Sequence, residues 1–103
     1  MRSPTPPYLD RYRRTMKRGP LFMPASFEGK SLRAQKITGE VEEEIGGQIV
    51  ITMRTRALVD WTDLDDEPAE GDTIAFPDLA ESYYVRSWML KGDGFVELHL
   101  IKN

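Results

Sequence analysis

The chain has 103 residues, 40% of them hydrophobic and 30% charged, with a formal net charge of -3, one histidine and no cysteine. That length sets one domain as the expectation, and the missing cysteines exclude disulfides, thiolate chemistry and Cys-ligated zinc. No run of about 18 apolar residues is present, so no transmembrane helix is expected, and the N-terminus has no apolar core of a signal peptide.

Charge is distributed unevenly. Residues 1–18 carry Arg2, Arg11, Arg13, Arg14, Lys17 and Arg18 against Asp10 alone. Two later runs are acidic: Glu40, Glu42, Glu43 and Glu44, then Asp60, Asp63, Asp65, Asp66, Glu67, Glu70 and Asp72. A basic end on an acidic body points to docking between copies or onto a partner.

Pro4, Pro6 and Pro7 make residues 1–7 extended or disordered by expectation. A short helix is expected over Tyr8–Lys17, with Thr5 as its cap and Tyr8, Tyr12 and Met16 on one face. About three turns are marginal alone in water, so contact must order them. Gly19 and Pro20 end this helix. Leu21–Phe27 is apolar but broken by Pro24, which suits an edge strand or an anchor segment. Ser31–Ile37 has strand character, and Thr38-Gly39-Glu40 is expected to turn or bulge.

Gln48–Val59 is the clearest strand. Ile49, Ile51, Met53, Thr55 and Ala57 alternate with Val50, Thr52, Arg54 and Arg56, which predicts a half-buried antiparallel strand entered from the Gly46-Gly47 turn. Asp60–Asp72 is expected to be a polar loop anchored by Leu64. Thr73–Phe76 is a further strand. Tyr83–Leu90 and Phe95–Ile101 form a hairpin about Lys91-Gly92-Asp93-Gly94. Val96, Leu98 and Leu100 belong on the buried face of the last strand, with Phe95, Glu97, His99 and Ile101 on the other. Five or six closely spaced strands predict a small barrel or sandwich; closure into a barrel would remove exposed sheet edges. The domain division is an N-terminal arm over residues 1–25, mobile until assembled, and a mainly β, small antiparallel barrel over residues 26–103. The arm carries the short helix.

Little in the chain suits catalysis. His99 lies mid-strand beside Glu97, and no Gly-x-Ser-x-Gly elbow is present. Asp63-Leu64-Asp65-Asp66-Glu67 lacks the central glycine of a calcium loop and has Pro68 where the backbone must turn. No enzyme activity, metal or cofactor is expected. Trp88 is expected to pack in the core, while Trp61, at a strand end beside acidic residues, suits an interface about as well as a core. The partner-binding candidates are Tyr8, Arg11, Tyr12, Arg13, Arg14, Met16 and Lys17 on the arm, and Trp61, Asp63, Asp65, Asp66 and Glu67 on the acidic loop. The helix stripe suits a protein groove with an acidic rim. The acidic loop suits contact with a neighbour or the lining of a channel.

The order of features from Ser31 to Asn103 resembles the head–tail joining proteins of tailed phages, also called head-closure, stopper or connector proteins. The resemblance rests on a strand from Gln48-Ile49-Val50-Ile51 into Arg56-Ala57-Leu58-Val59. After it come an acidic loop with Pro68-Ala69-Glu70-Gly71-Asp72-Thr73-Ile74, then Tyr84-Val85, the Gly92-Asp93-Gly94 turn, and Glu97-Leu98-His99-Leu100. It covers about 70 residues, and order and spacing carry it more than any single motif. It implies a small β-barrel with long loops or termini that order on assembly. It also implies a structural role in a self-associated ring that closes the DNA-filled head, with portal or adaptor proteins above and tail proteins below. No catalytic residues belong to this family. Location in the virion, and in the host cytoplasm during assembly, follows from the same resemblance, with DNA passing nearby in the channel and no membrane. The basic arm is more pronounced here than the family pattern requires. The competing reading is an OB- or SH3-like nucleic-acid-binding module, suggested by Arg11-Tyr12-Arg13-Arg14; a small enzyme ranks below both.

Overall fold

The computed structural model describes residues 6–103, so the expectations for Thr5 and for the first five residues lie outside them. One helix, α1 (Pro7–Arg18), precedes six strands: β1 (Met23–Phe27), β2 (Lys30–Ile45), β3 (Gln48–Asp60), β4 (Thr73–Phe76), β5 (Glu81–Leu90) and β6 (Phe95–Lys102). All neighbouring strands pair antiparallel, in the order β1-β2-β3-β6-β5-β4, and the pairs Ser26 with Ala75 and Phe27 with Ile74 close the sheet into a barrel. Closure leaves no open edge along the barrel itself. β1 begins inside the stretch expected to be arm, and Pro24 is accommodated in it because the strand is short and lies at the seam of the barrel.

The alternating residues of β3 and β6 fill the barrel. Ala57, Val59, Val96, Leu98 and Leu100 join Ile74, Phe76, Val85 and Trp61 in one buried cluster. The outer face of the same strands is covered as well. Leu58 and Phe95 pack with Phe22, against which Met16 and Ile37 lean. Phe95, expected on the solvent side of β6, is therefore buried beneath the helix, with its ring 5.4 Å from Phe22 and edge-on to Tyr12.

Two local expectations fail. Thr38-Gly39-Glu40 neither turns nor bulges, because β2 runs through it for 16 residues and pairs with β3 from Ala34–Val59 to Ile45–Gln48. Ile49, Ile51 and Met53 share a face with the core residues Ala57 and Val59, as the alternation required, yet they are 72%, 66% and 62% exposed. The barrel ends near Thr55, which pairs with Leu100 at the far end of β6. Beyond it β2 and β3 continue as a free hairpin, and the molecule measures 45 Å along its longest axis against 29 and 26 Å across.

Candidate functional site

Three features at the surface concern function: the attachment of α1, a groove beside it, and the projecting hairpin. The attachment is built on Arg13, whose side chain is wholly buried although it sits on a helix rich in exposed cations. Its Nε donates to Asp60 Oδ1 at 2.9 Å, its Nη1 donates to the Asp93 carbonyl at 3.0 Å, and its Nη2 donates to Asp10 one helical turn away. Gly94 makes room for it. Its φ of +86° disfavours any side chain, and a Cβ there would collide with the Arg13 guanidinium.

Asp60, at the end of β3, accepts more than this one bond. Its Oδ1 also takes the Thr62 N–H at 3.0 Å and the Thr62 hydroxyl at 2.9 Å, capping the 3-10 turn over Trp61–Asp63. Its Oδ2 meets Lys17 Nζ at 2.8 Å, and Asp63 meets the same ammonium at 2.9 Å. Burial disfavours the charged forms of both Asp60 and Lys17. For Asp60 the hydrogen bonds from Lys17 and Thr62 outweigh burial and hold the carboxyl below its ordinary value. For Lys17 the bonds and charges of Asp60 and Asp63 outweigh it and hold the ammonium above its ordinary value.

These contacts correct the sequence expectations. Arg13 and Lys17 are engaged inside the chain and fasten the helix to the barrel. Trp61 is no surface platform: it is buried in the core, with its ring 6.1 Å from Trp88. Met16 is half-buried against the outer cluster and Tyr12 is part-exposed with its ring edge-on to Phe95, so of the expected stripe of Tyr8, Tyr12 and Met16 only Tyr8 is largely in solvent. Asp63 belongs to the Lys17 pair and Asp65 meets Lys30 at 3.1 Å, while Asp66 and Glu67 remain exposed. Leu64 is the buried anchor expected in this loop.

Two hollows flank that loop. One, of about 340 Å³, is lined by Arg14, Lys17, Arg18, Lys30 and Arg33, together with Ser31, Asp63 and Leu32, which also packs against the barrel core. The second lies under the acidic loop, with Asp65, Asp66, Glu67 and Asp72 facing Lys30. Among the described residues no group of three or more His, Cys, Asp or Glu side chains is placed to hold a metal ion. Arg14 and Arg18, one helical turn apart, are exposed and form no ion pair among the described residues. Arg33 donates to the carbonyls of Lys17 and Phe22, which ties α1 to β2 and sets the groove wall.

The hairpin is the feature that sequence reasoning passed over. Its register places Glu40, Glu42 and Glu44 directly opposite Met53, Ile51 and Ile49. Cross-strand neighbours share a face, so one face carries three exposed apolar side chains beside three carboxylates. The signal was present in the sequence. A barrel interior cannot take a carboxylate opposite each apolar residue, so these pairs had to lie outside it.

A third polar cluster lies where the hairpin leaves the barrel. Glu97 accepts from Arg56 at 3.2 Å and lies 3.0 Å from His99 Nε2. Arg86 stands out at a bulge between Val85 and Ser87. None of the described helices is long and apolar enough to cross a membrane. In comparisons with models of known families and with curated proteins, the chain matches none.

Proposed function

We propose that this chain is a structural component of the connector between the head and the tail of a tailed phage, acting by assembly and without catalysis. The observation that carries this reading is the hairpin beyond Thr55. A closed barrel with its own core filled needs no apolar residues there, yet Ile49, Ile51 and Met53 stand exposed on it. Exposed apolar surface rimmed by charge is a feature of interaction sites. The family resemblance of the strand order and turns supports the same role, with a portal or adaptor above, a tail protein below and further copies alongside.

The experiment is deletion of the coding sequence from the phage genome that carries it. The expected result is heads that fill with DNA, lose it, and accumulate beside unattached tails, with rescue by the intact chain supplied in trans. Normal yields of tailed, infectious particles would overturn the reading.

One observation favours a second reading, a nucleic-acid-binding module: the groove with Arg14, Lys17, Arg18, Lys30 and Arg33. Such a module would retard a duplex or single-stranded oligonucleotide with an affinity that falls steeply as salt rises. A connector component would show little binding of free oligonucleotide at about 0.15 M salt.

A further inference from the structure

We propose that the β2–β3 hairpin of one copy of this chain seats in the basic groove beside α1 of the next copy, with Glu40, Glu42 and Glu44 meeting Arg14 and Arg18 and with Ile51 against Leu32. The two surfaces are complementary in charge. The hairpin face presents three carboxylates in a row along β2, and the groove presents Arg14, Arg18 and Arg33 with no carboxylate paired to them among the described residues, beside Lys17 and Lys30, which Asp60, Asp63 and Asp65 already engage. They are also commensurate in spacing. Alternate residues of a strand are about 6.6 Å apart, and residues four apart on a helix are about 6 Å apart. Successive glutamates can therefore meet Arg14 and Arg18 in step. The apolar partners are present on both sides, because part-buried Leu32 and the aliphatic stems of the arginines are in the groove lining that Ile51 would meet.

The hairpin cannot reach its own groove. Arg33 in the groove and Glu42 on the hairpin lie on the same strand, nine residues apart, which is about 30 Å of extended chain. The contact must therefore join two copies. It joins unlike surfaces, so each copy offers one hairpin and one groove, and such head-to-tail contacts close into a ring or run on as a filament. This deepens the connector reading and rests on it for closure into a ring.

The chain has no cysteine, so introduced thiols can be read without background. Ile51→Cys and Ser31→Cys are placed on separate copies of the full chain, both at exposed positions, and the two proteins are mixed under a mild copper oxidant. The expected product is the mixed disulfide dimer, in large excess over either homodimer. A chain carrying both substitutions should give a ladder of higher species. Adding Glu42→Lys to the Ile51→Cys copy should abolish the cross-link, and Arg14→Glu with Arg18→Glu on the other copy should restore it. A predominant Ile51→Cys homodimer would mean that hairpins pair with each other and would overturn the proposal. So would a mixed product no more abundant than that formed in denaturant. Circular dichroism of each variant keeps misfolding from passing as loss of contact, and sedimentation of the unmodified chain, expected to show concentration-dependent association, serves as a second measure. Cross-linking by a chain that phage particles do not need would keep this contact and overturn the connector reading; the reverse pair of results would overturn this contact alone.

Discussion

The two ends of this molecule invert the usual placement of polarity. At the helix end a guanidinium, an ammonium and a carboxylate are drawn into the structure. At the hairpin end isoleucines and a methionine are left in solvent. Each inversion has a local cause. Arg13 is buried because Asp60, Asp10 and the Asp93 carbonyl supply acceptors for it, and a buried charge with its partners in place is tolerated. Ile49, Ile51 and Met53 are exposed because their strand outruns the barrel. The buried charges of the helix end find their partners within one chain; the apolar side chains of the hairpin end have no cover in it, and on the proposed reading a second copy covers them. That difference separates residues whose loss should cost stability from residues whose loss should cost assembly.

The contrast is broken most severely at Asp60. Asp60→Ala takes one carboxylate partner from the buried Arg13 and one from Lys17 and removes the cap of the Trp61–Asp63 turn, and should cost about 3–5 kcal/mol. Arg13→Met should cost less, since Asp60 keeps Lys17 and Thr62. Urea denaturation of the full chain measures both, and the reverse order would show that Arg13, through Asp10 and the Asp93 carbonyl, holds the helix more than Asp60 does. In the barrel between the two ends, Leu98→Ala should cost about 2–5 kcal/mol, because the side chain is wholly buried. His99→Ala, at a part-exposed neighbour, should stay within about 0.5 kcal/mol. Equal losses would mean that the faces of β6 are misassigned.

Gly94 offers a test that adds an atom instead of removing one. Gly94→Ala should cost on the order of 1–3 kcal/mol from backbone strain alone, and the collision with Arg13 adds to it. Gly92→Ala, two residues away in the same turn with open space around it, should change stability by no more than about 0.5 kcal/mol. If the two glycines prove alike, Arg13 does not occupy the position over Gly94.

The attachment should also weaken at both extremes of pH. Asp60 is held below its ordinary value of 3.8 in the folded chain, so its contribution is fully present above that value and is lost as pH falls through the lower folded one. Lys17 is held above its ordinary value of 10.5, so its contribution is fully present below that value and is lost as pH rises through the higher folded one. Between these limits it should be flat. Denaturation midpoints of the chain and of Asp60→Asn, compared across pH, check this: the difference between them should shrink at acid pH and be constant near neutrality.

The smallest expected effect on stability sharpens the contrast most. Ile49→Ser with Ile51→Ser should move stability by no more than about 0.5 kcal/mol per site, as at ordinary surface positions, while self-association measured by sedimentation is lost. A large loss of stability with association intact would place the hairpin within the fold and remove it from assembly.

Much of the barrel was readable from residue order. Period-two alternation in β3 and β6, the Gly-containing turns and the apolar run of β4 each express a local preference, and local preferences survive into the fold when the tertiary structure agrees with them. The short helix over Tyr8–Lys17 was readable for the same reason, from the spacing of its residues and from Gly19-Pro20 beyond it. The length of β2 was misread at Thr38-Gly39-Glu40, because a glycine in a strand is tolerated where the partner strand keeps the ladder in register.

What only the tertiary structure decided is where the barrel stops along β3 and which cation enters it. Alternation assigns a residue to a face, but burial depends on whether another strand covers that face, and the pairing of β3 with β6 ends at Thr55 and Leu100. In the same way the sequence offers a row of cations on α1 with nothing local to distinguish them. Arg13 alone is wholly buried because Asp60 and Asp93, 47 and 80 residues away, converge on it once the barrel has closed. Both outcomes depend on contacts between distant parts of the chain, which residue types and spacing do not encode locally.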